Sequence, residues 1–505
     1  MSPTPHRTAS RLRRPAAVLL GLGLVTATGA LTWWGTATPV LPSTAVGAVA
    51  QPAPQSETVY VCPAGPADTI GAVEHGQTTS TTALTLLTRG STATWDGQRL
   101  TAGGTTVLEE ADGGTLVVGP GPQGAASAAG VVTTVTAEGD LRGLSTASCV
   151  PPQAVAWIVG GSAAPGASSE LRLSNPGTTT VTATVTLYGA TGEVDTATGN
   201  LVTVPAGETV RVLLEAATSQ ERLALSVEAD GGSLAAVLVT ESLDGETAAG
   251  VDMLTSGAAP ATDLTVPGVL LTEPSAQGQA ADETTGATSS DTPVLRVANP
   301  GDGPATVTVS TIGADGETPL PGATALVVDP GAVFDVSLAG IAPGAYGIRL
   351  SSDTPVTGAV RLVRSAGEHP ERSGALVHDI AWAQAETAVA TRQGAVAVPQ
   401  GQDLSHTLVL TNTASAATTV TLSAKDGSRL AEVSVPGSTT VSLDLAELEG
   451  GAPSVIALST GEGAEVVSAL VTTTETEGEA AGTLIGVTTP VTDAASAAAR
   501  QLLLR

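Results

Sequence analysis

Lysine occurs once in the 505 residues, at Lys425, and phenylalanine once, at Phe334; aromatic residues of all kinds make up 2% of the chain, and cysteine appears twice. Each shortage closes something off. There are 20 basic residues against 48 acidic ones. Four of the basic ones, Arg7, Arg11, Arg13 and Arg14, stand in the first 50 residues, which hold no Asp or Glu, so the remainder carries a balance of −32. A body of that sign repels phosphate backbones and gains nothing from counterion release, which argues against nucleic acid as a partner. Two thiols without a neighbouring His are a poor zinc set, and no metal or other cofactor is implied. No Gly-x-Ser-x-Gly elbow stands where a strand would enter a helix. Gly160-Gly161 and Gly231-Gly232 lack the Lys and helix of a phosphate loop, and read as turns. Long amphipathic helical patterns are missing too, which disfavours parallel βαβ folds.

What is present is a chain 42% hydrophobic, mostly Ala, Val and Leu interleaved with Thr, Ser and Gly. Small and β-branched side chains in that mixture favour strands. A single core stops growing at roughly 250 to 300 residues, so three or four domains are expected.

The N-terminus reads as an export signal. Arg11, Arg13 and Arg14 precede an uncharged run over 15–54, most apolar over 16–31 and closed by Trp33 and Trp34. Positive charge ahead of the apolar stretch holds the N-terminus in the cytoplasm and sends the rest across. Residues 16–34 are about long enough to span a bilayer, and the Trp pair suits its interface. Ala48-Val49-Ala50 forms a cleavage-like A-x-A pattern, but far beyond the apolar core. The reading is therefore an uncleaved anchor over 1–35, with a Pro/Ala-rich tether over 36–56; cleavage would instead release a secreted protein.

One pattern recurs three times in the body. The copies begin Leu171-Arg172-Leu173-Ser174-Asn175-Pro176-Gly177, Leu295-Arg296-Val297-Ala298-Asn299-Pro300-Gly301 and Leu408-Val409-Leu410-Thr411-Asn412. Each continues into a Thr/Val alternation and a turn at Gly192, Gly316 or Gly427, then a second turn at Gly207, Gly331 or Gly437. Alternation of period two that ends in a glycine turn is a strand entering a hairpin. Asn175 to Asn299, Gly192 to Gly316, Gly207 to Gly331 and Val239 to Val363 are each 124 residues apart, so the first two copies align without a gap. A repeat of that length is a whole domain rather than a solenoid or propeller unit.

The expected fold is all-β: tandem immunoglobulin-like sandwich modules over 151–260, 261–390 and 391–492, following the N-terminal segment. Immunoglobulin-like refers here to the architecture, not the strand order, since no Cys…Trp…Cys pattern is present. The second module carries a polar insertion over 273–292, and 493–505 forms a C-terminal tail. Residues 57–150 share the composition but only faint repeat landmarks, and read as a separate β domain. Cys62 and Cys149 bracket it and should pair in an oxidising compartment, stabilising it by on the order of 4 kcal/mol.

Cys62-Pro63, the run AVAWIVGG at 154–161, the Asn-Pro-Gly starts and Asp379-Ile380-Ala381-Trp382 resemble an actinobacterial family of secreted or membrane-anchored proteins known only as a domain of unknown function. The resemblance spans about 58–490. It implies an extracytoplasmic, envelope location and supplies no activity.

Candidate sites are few. His6, His75, His369, His378 and His406 are scattered, and His378 and Asp379, as strand neighbours, point to opposite faces. Asp302, Asp315, Asp329 and Asp335 would have to gather to hold Ca²⁺, but no Asp-x-Asp-x-Asp-Gly loop is present. Trp157 and Trp382 lie in apolar runs near module edges, where packing at a core or interface outweighs ligand stacking, and they are the candidate interaction residues. The expectation is a non-enzymatic scaffold or protein-interaction array, tethered to the membrane by its N-terminal segment, with an envelope protein or cell-wall glycan as partner. The alternatives are a cell-wall polysaccharide-binding protein or an accessory subunit of a glycan-processing or export complex.

Overall fold

The computed structural model describes most of residues 57–492, together with the helical positions Thr26, Thr28 and Ala30. Outside that description fall the rest of 1–56, the segments 68–75, 88–91, 101–103, 110–112, 120–126, 274–291, 389–393, 478–480 and 493–505, and positions 77, 197–198, 370–371 and 402. Nearly all of the expected anchor, including Trp33 and Trp34, and the tether, the A-x-A pattern, the tail and nearly all of the polar insertion lie there. Among the described residues no helix is long and apolar enough to cross a membrane.

The strands fall into four groups. Module 1 contains β1 (Thr58–Cys62), β2 (Thr78–Leu86), β3 (Ala93–Trp95), β4 (Gln98–Arg99), β5 (Thr105–Glu109), β6 (Gly114–Val118), β7 (Ala128–Thr136) and β8 (Gly143–Ser148). Module 2 contains β9 (Val155–Val159), β10 (Ala167–Ser174), β11 (Val181–Gly189), β12 (Gly192–Glu193), β13 (Leu201–Val204), β14 (Thr209–Leu213), β15 (Ala224–Asp230), β16 (Ala235–Asp244) and β17 (Thr247–Thr255). Module 3 contains β18 (Ala261–Leu271), β19 (Val294–Ala298), β20 (Ala305–Gly313), β21 (Gly316–Pro319), β22 (Leu326–Val328), β23 (Val333–Ser337), β24 (Gly344–His369) and β25 (Arg372–Gln384). Module 4 contains β26 (Ala395–Ala397), β27 (Leu404–Asn412), β28 (Thr418–Ser423), β29 (Arg429–Val435), β30 (Thr439–Asp444), β31 (Val455–Thr460), β32 (Val466–Thr476) and β33 (Gly482–Thr488).

All four modules share one topology. In module 1 the sheets run β1-β6-β3-β4 and β5-β2-β7-β8; in module 2, β9-β15-β11-β12 and β14-β10-β16-β17; in module 4, β26-β31-β28-β29 and β30-β27-β32-β33. Module 3 follows the same order, with β24 serving first as the neighbour of β18 and β20 and then as that of β19 and β25. Every pairing between two of these strands is antiparallel, with one isolated parallel bridge from Gly189 to Ala332, and in modules 2 and 4 leucines and valines from both sheets share one core. The region 57–150 is thus a fourth copy, which its sequence showed only faintly. Its strand order, like that of the other three, differs from the ABED/CFG arrangement of immunoglobulin domains.

The Asn that opens the repeat in modules 2, 3 and 4 is buried and makes a common set of bonds in all three. Asn175, Asn299 and Asn412 each donate through Nδ2 to the carbonyl four residues on, at 2.8 Å, and to Val204, Val328 or Val435 at 3.0, 3.0 and 3.1 Å. Each Oδ1 accepts the backbone N–H two residues on, at 3.0 Å. This side chain sews one interstrand turn to another.

The modules close on each other. β8 packs on β17, β17 on β25, β25 on β33 and β33 on β8, so that the last strand of each module meets two others around a common axis. Apolar side chains continue across the junctions. Val237, Val239 and Met253 enter the core of module 1, Val333 and Trp382 that of module 2, and Val409 and Ile485 that of module 3. Ala395, Ala397 and Val455 of module 4 pack on Ala83, Ala129 and Val131 of module 1. Val491 lies against the small cluster of Val61, Val150 and Ala235.

Candidate functional site

The last strands are rich in glycine and alanine, so their backbones approach closely, and polar groups are trapped where they meet. Asp379, on β25, is fully buried; its Oδ2 accepts the N–H of Leu144 on β8 at 3.1 Å and of Ile485 on β33 at 2.8 Å. One carboxylate oxygen therefore ties three modules together. Asp252, on β17, occupies the corresponding register position, since Met253 pairs with Val239 as Ile380 pairs with Val363. It accepts the Trp382 N–H at 2.7 Å and that of Met253 at 2.8 Å. Burial pushes Asp379 up to about 7 against the pull of those N–H groups and of Arg142, and raises Asp252 well above the usual carboxylate range. Arg142, wholly buried beside β8, donates to Thr476 at 3.1 Å, and desolvation lowers its pKa. These groups sit beneath packed strands and act as a lock between modules.

His378 faces away from its neighbour Asp379, as strand alternation requires. Its Nδ1 lies 3.1 Å from Ser365 Oγ, directly across the β24–β25 register. Ser365 lines a cavity of about 230 Å³ together with Arg364, Glu273 and Thr292. The Arg364 guanidinium is tied to the carbonyls of Val363 and Leu270 at 2.9 Å each, and desolvation lowers its pKa to about 10. Asp379, committed to the axis, does not orient the imidazole.

A second cavity, about 240 Å³, opens between modules 1 and 2. Arg172 and Arg211 line it from directly opposed positions on β10 and β14, with Asp96, Glu208 and the backbone of Gly113 and Gly114. Arg172 donates through Nε to Glu170, and through Nη1 to the carbonyls of Ala64 and Gly65 at 2.7 and 2.9 Å. The same junction recurs one module on, where Arg296 Nη1 reaches the Gly161 carbonyl at 2.6 Å. There the facing residue is Asp335, which accepts from Nε at 2.8 Å and Nη2 at 3.0 Å. Despite the burial of Asp335, the cations Arg296, Arg361 and Arg222 hold its pKa below the usual carboxylate range.

Cys62 and Cys149 form a buried disulfide that joins the end of β1 to the segment after β8. Trp382 is buried at the junction of modules 2 and 3, with the Arg296 guanidinium 4.9 Å from its ring centroid. Trp157 is half-buried and stacks on Tyr188 with ring centroids 5.8 Å apart. The two tryptophans do not form one surface. The four aspartates weighed for calcium are also apart: Asp335 is bound to Arg296, and among the described residues no three His, Cys, Asp or Glu side chains gather to hold a metal.

Sequence reasoning missed the axial carboxylates. Asp252 and Asp379 are 127 residues apart, not 124, because the arms of the β24–β25 hairpin are longer than those of β16–β17. Aligning β17 and β25 by their hairpin partners β16 and β24 places the two aspartates at one position.

Fold and sites together define an all-β protein of four modules built from small antiparallel sheets, whose last strands pack on one another. The chain belongs to a family of unknown function (DUF5719), whose model matches residues 101–446. No curated protein matches. A Streptomyces avermitilis alpha-L-rhamnosidase complexed with L-rhamnose aligns over 86% of this chain at 11% identity and a TM-score of 0.10, a likeness that carries no argument. The chain spans 57% of that protein's length.

Proposed function

We propose that the protein is a non-enzymatic scaffold or interaction platform of the cell envelope, held to the membrane by its N-terminal segment, with its immunoglobulin-like modules outside the cytoplasm. The observation that carries the reading is how the titratable groups are used. Asp379, Asp252 and Arg142 are spent on holding modules to one another rather than presented to a substrate. The buried Cys62–Cys149 disulfide supports an oxidising compartment. Among the described aromatics only Phe334 is exposed, at 40%, so sugar rings have no row of platforms to stack on; this favours a protein partner over a neutral polysaccharide.

The test is affinity capture with the full chain from detergent-solubilised envelope, run beside isolated wall polymer. Specific, saturable recovery of an envelope protein supports the platform reading. Binding to wall polymer alone overturns it in favour of glycan attachment.

A further inference from the structure

We infer that the cavity between modules 1 and 2 is a binding site for a small carboxylate-bearing ligand with neighbouring hydroxyl or ammonium donors, such as an acidic sugar unit or an amino acid. The inference does not depend on the scaffold reading.

Its basis is a comparison the molecule makes with itself. Arg172 and Arg296 occupy the same repeat position, 124 residues apart, and both reach across to carbonyls of the preceding module. In module 3 the opposed strand supplies Asp335, whose two oxygens fill the guanidinium fork. In module 2 the residue at that place, again 124 positions earlier, is Arg211. Carboxylate has been replaced by a second cation, and like charges directly opposed across a sheet repel. Glu170 takes only the Nε of Arg172, and Nη2 is left buried without a hydrogen-bond partner. Arg211 is exposed and makes no ion pair among the described residues. A buried, unmade bond from a charged donor is costly, and a carboxylate from outside would supply what Asp335 supplies one module on.

The lining also limits what the rest of the ligand can be. Asp96, which accepts the Thr115 N–H at 2.8 Å, and Glu208 share the wall with the two arginines. They repel a simple anion but suit hydroxyl or ammonium groups a few atoms from the carboxylate. The volume, about 240 Å³, falls below the usual range of drug-sized pockets and fits one sugar or amino-acid unit.

The experiment is calorimetric titration of the full chain at low salt with sodium D-glucuronate and, separately, sodium L-glutamate, with D-glucose and sodium sulfate as controls. Saturable binding of either carboxylate, absent with glucose and at least tenfold tighter than sulfate, is expected; which of the two binds identifies the source. Arg211→Ala should weaken it at least fivefold. Arg211→Asp, which copies module 3, should abolish it while raising the melting temperature, because the fork is then filled from within. Arg429→Ala, on the exposed surface of module 4, should change nothing. No saturable heat with either carboxylate, sulfate binding as tightly as they do, or unchanged affinity in both Arg211 variants would overturn the assignment; if Arg211→Asp does not fold, Arg211→Ala decides alone.

Discussion

At the residue scale, the Asn that opens each repeat was conspicuous in the sequence, and the structure gives the reason. In Asn299 the amide donates to the carbonyls of Gly303, Val328 and Asp329 and accepts one N–H, a combination no other side chain of that size provides. Asn299→Asp keeps the acceptor but turns an oxygen toward the carbonyls of Gly303 and Val328. The expected loss is about 2 to 4 kcal/mol, read as a lower denaturant midpoint, and should exceed that of Asn299→Ala. Asp379 predicts a pH dependence. Its folded-state pKa of about 7 lies above the unfolded value, so the native state binds the extra proton. That contribution to stability is present below about pH 4 and is lost as pH rises through 7, with a slope of up to about 1.4 kcal/mol per pH unit. Asp379→Asn should remove this slope between pH 5 and 7 in melting experiments. His406, buried and pushed down to about 4, works the other way between 4 and 6.5, so the variant must be compared with wild type rather than judged alone.

At the scale of elements, the alternation of Thr and Val announced the strands, and the 124-residue spacing announced which ones correspond. Two things stayed hidden. Module 1 lacks the Asn-Pro-Gly opening, and its turns are its own, so its kinship lies in strand order, which no short motif encodes. The packing of β8, β17, β25 and β33 was equally invisible, because it joins residues hundreds of positions apart through backbone approach rather than through side chains with a recognisable pattern. The glycines there were the available hint. Gly250 has φ +107°, and a Cβ on it would stand 2.6 Å from the Ile380 nitrogen. Gly250→Ala should therefore cost roughly 1 to 3 kcal/mol and loosen the contact of β17 with β25, visible as faster hydrogen exchange at Trp382 N–H, which Asp252 now holds.

At the scale of the whole molecule, hydrophobic clusters that cross every junction imply that modules do not melt one by one. Calorimetry of the full chain should show one dominant transition, with calorimetric and van't Hoff enthalpies close to each other; four separable transitions would mean that the junctions contribute little. Reducing Cys62–Cys149, which closes a sequence separation of 87, removes about 4 kcal/mol in the chain-entropy picture. Because module 1 touches both module 2 and module 4, reduction should lower that single transition for the whole body rather than release one domain. The cavities, by contrast, were illegible in the sequence: Arg172 was visible as part of the repeat, but its unfilled fork appears only once Arg211 is seen in the place of Asp335.

Val491 resting against Val61 and Val150 means that the body over 57–492 finishes where it starts. A circuit of four like members whose ends touch has no privileged first member. Linking residue 492 to residue 57 and breaking the chain at another junction would rearrange the order of translation while leaving every contact between neighbours in place, so the architecture belongs to the cycle and not to the gene's direction.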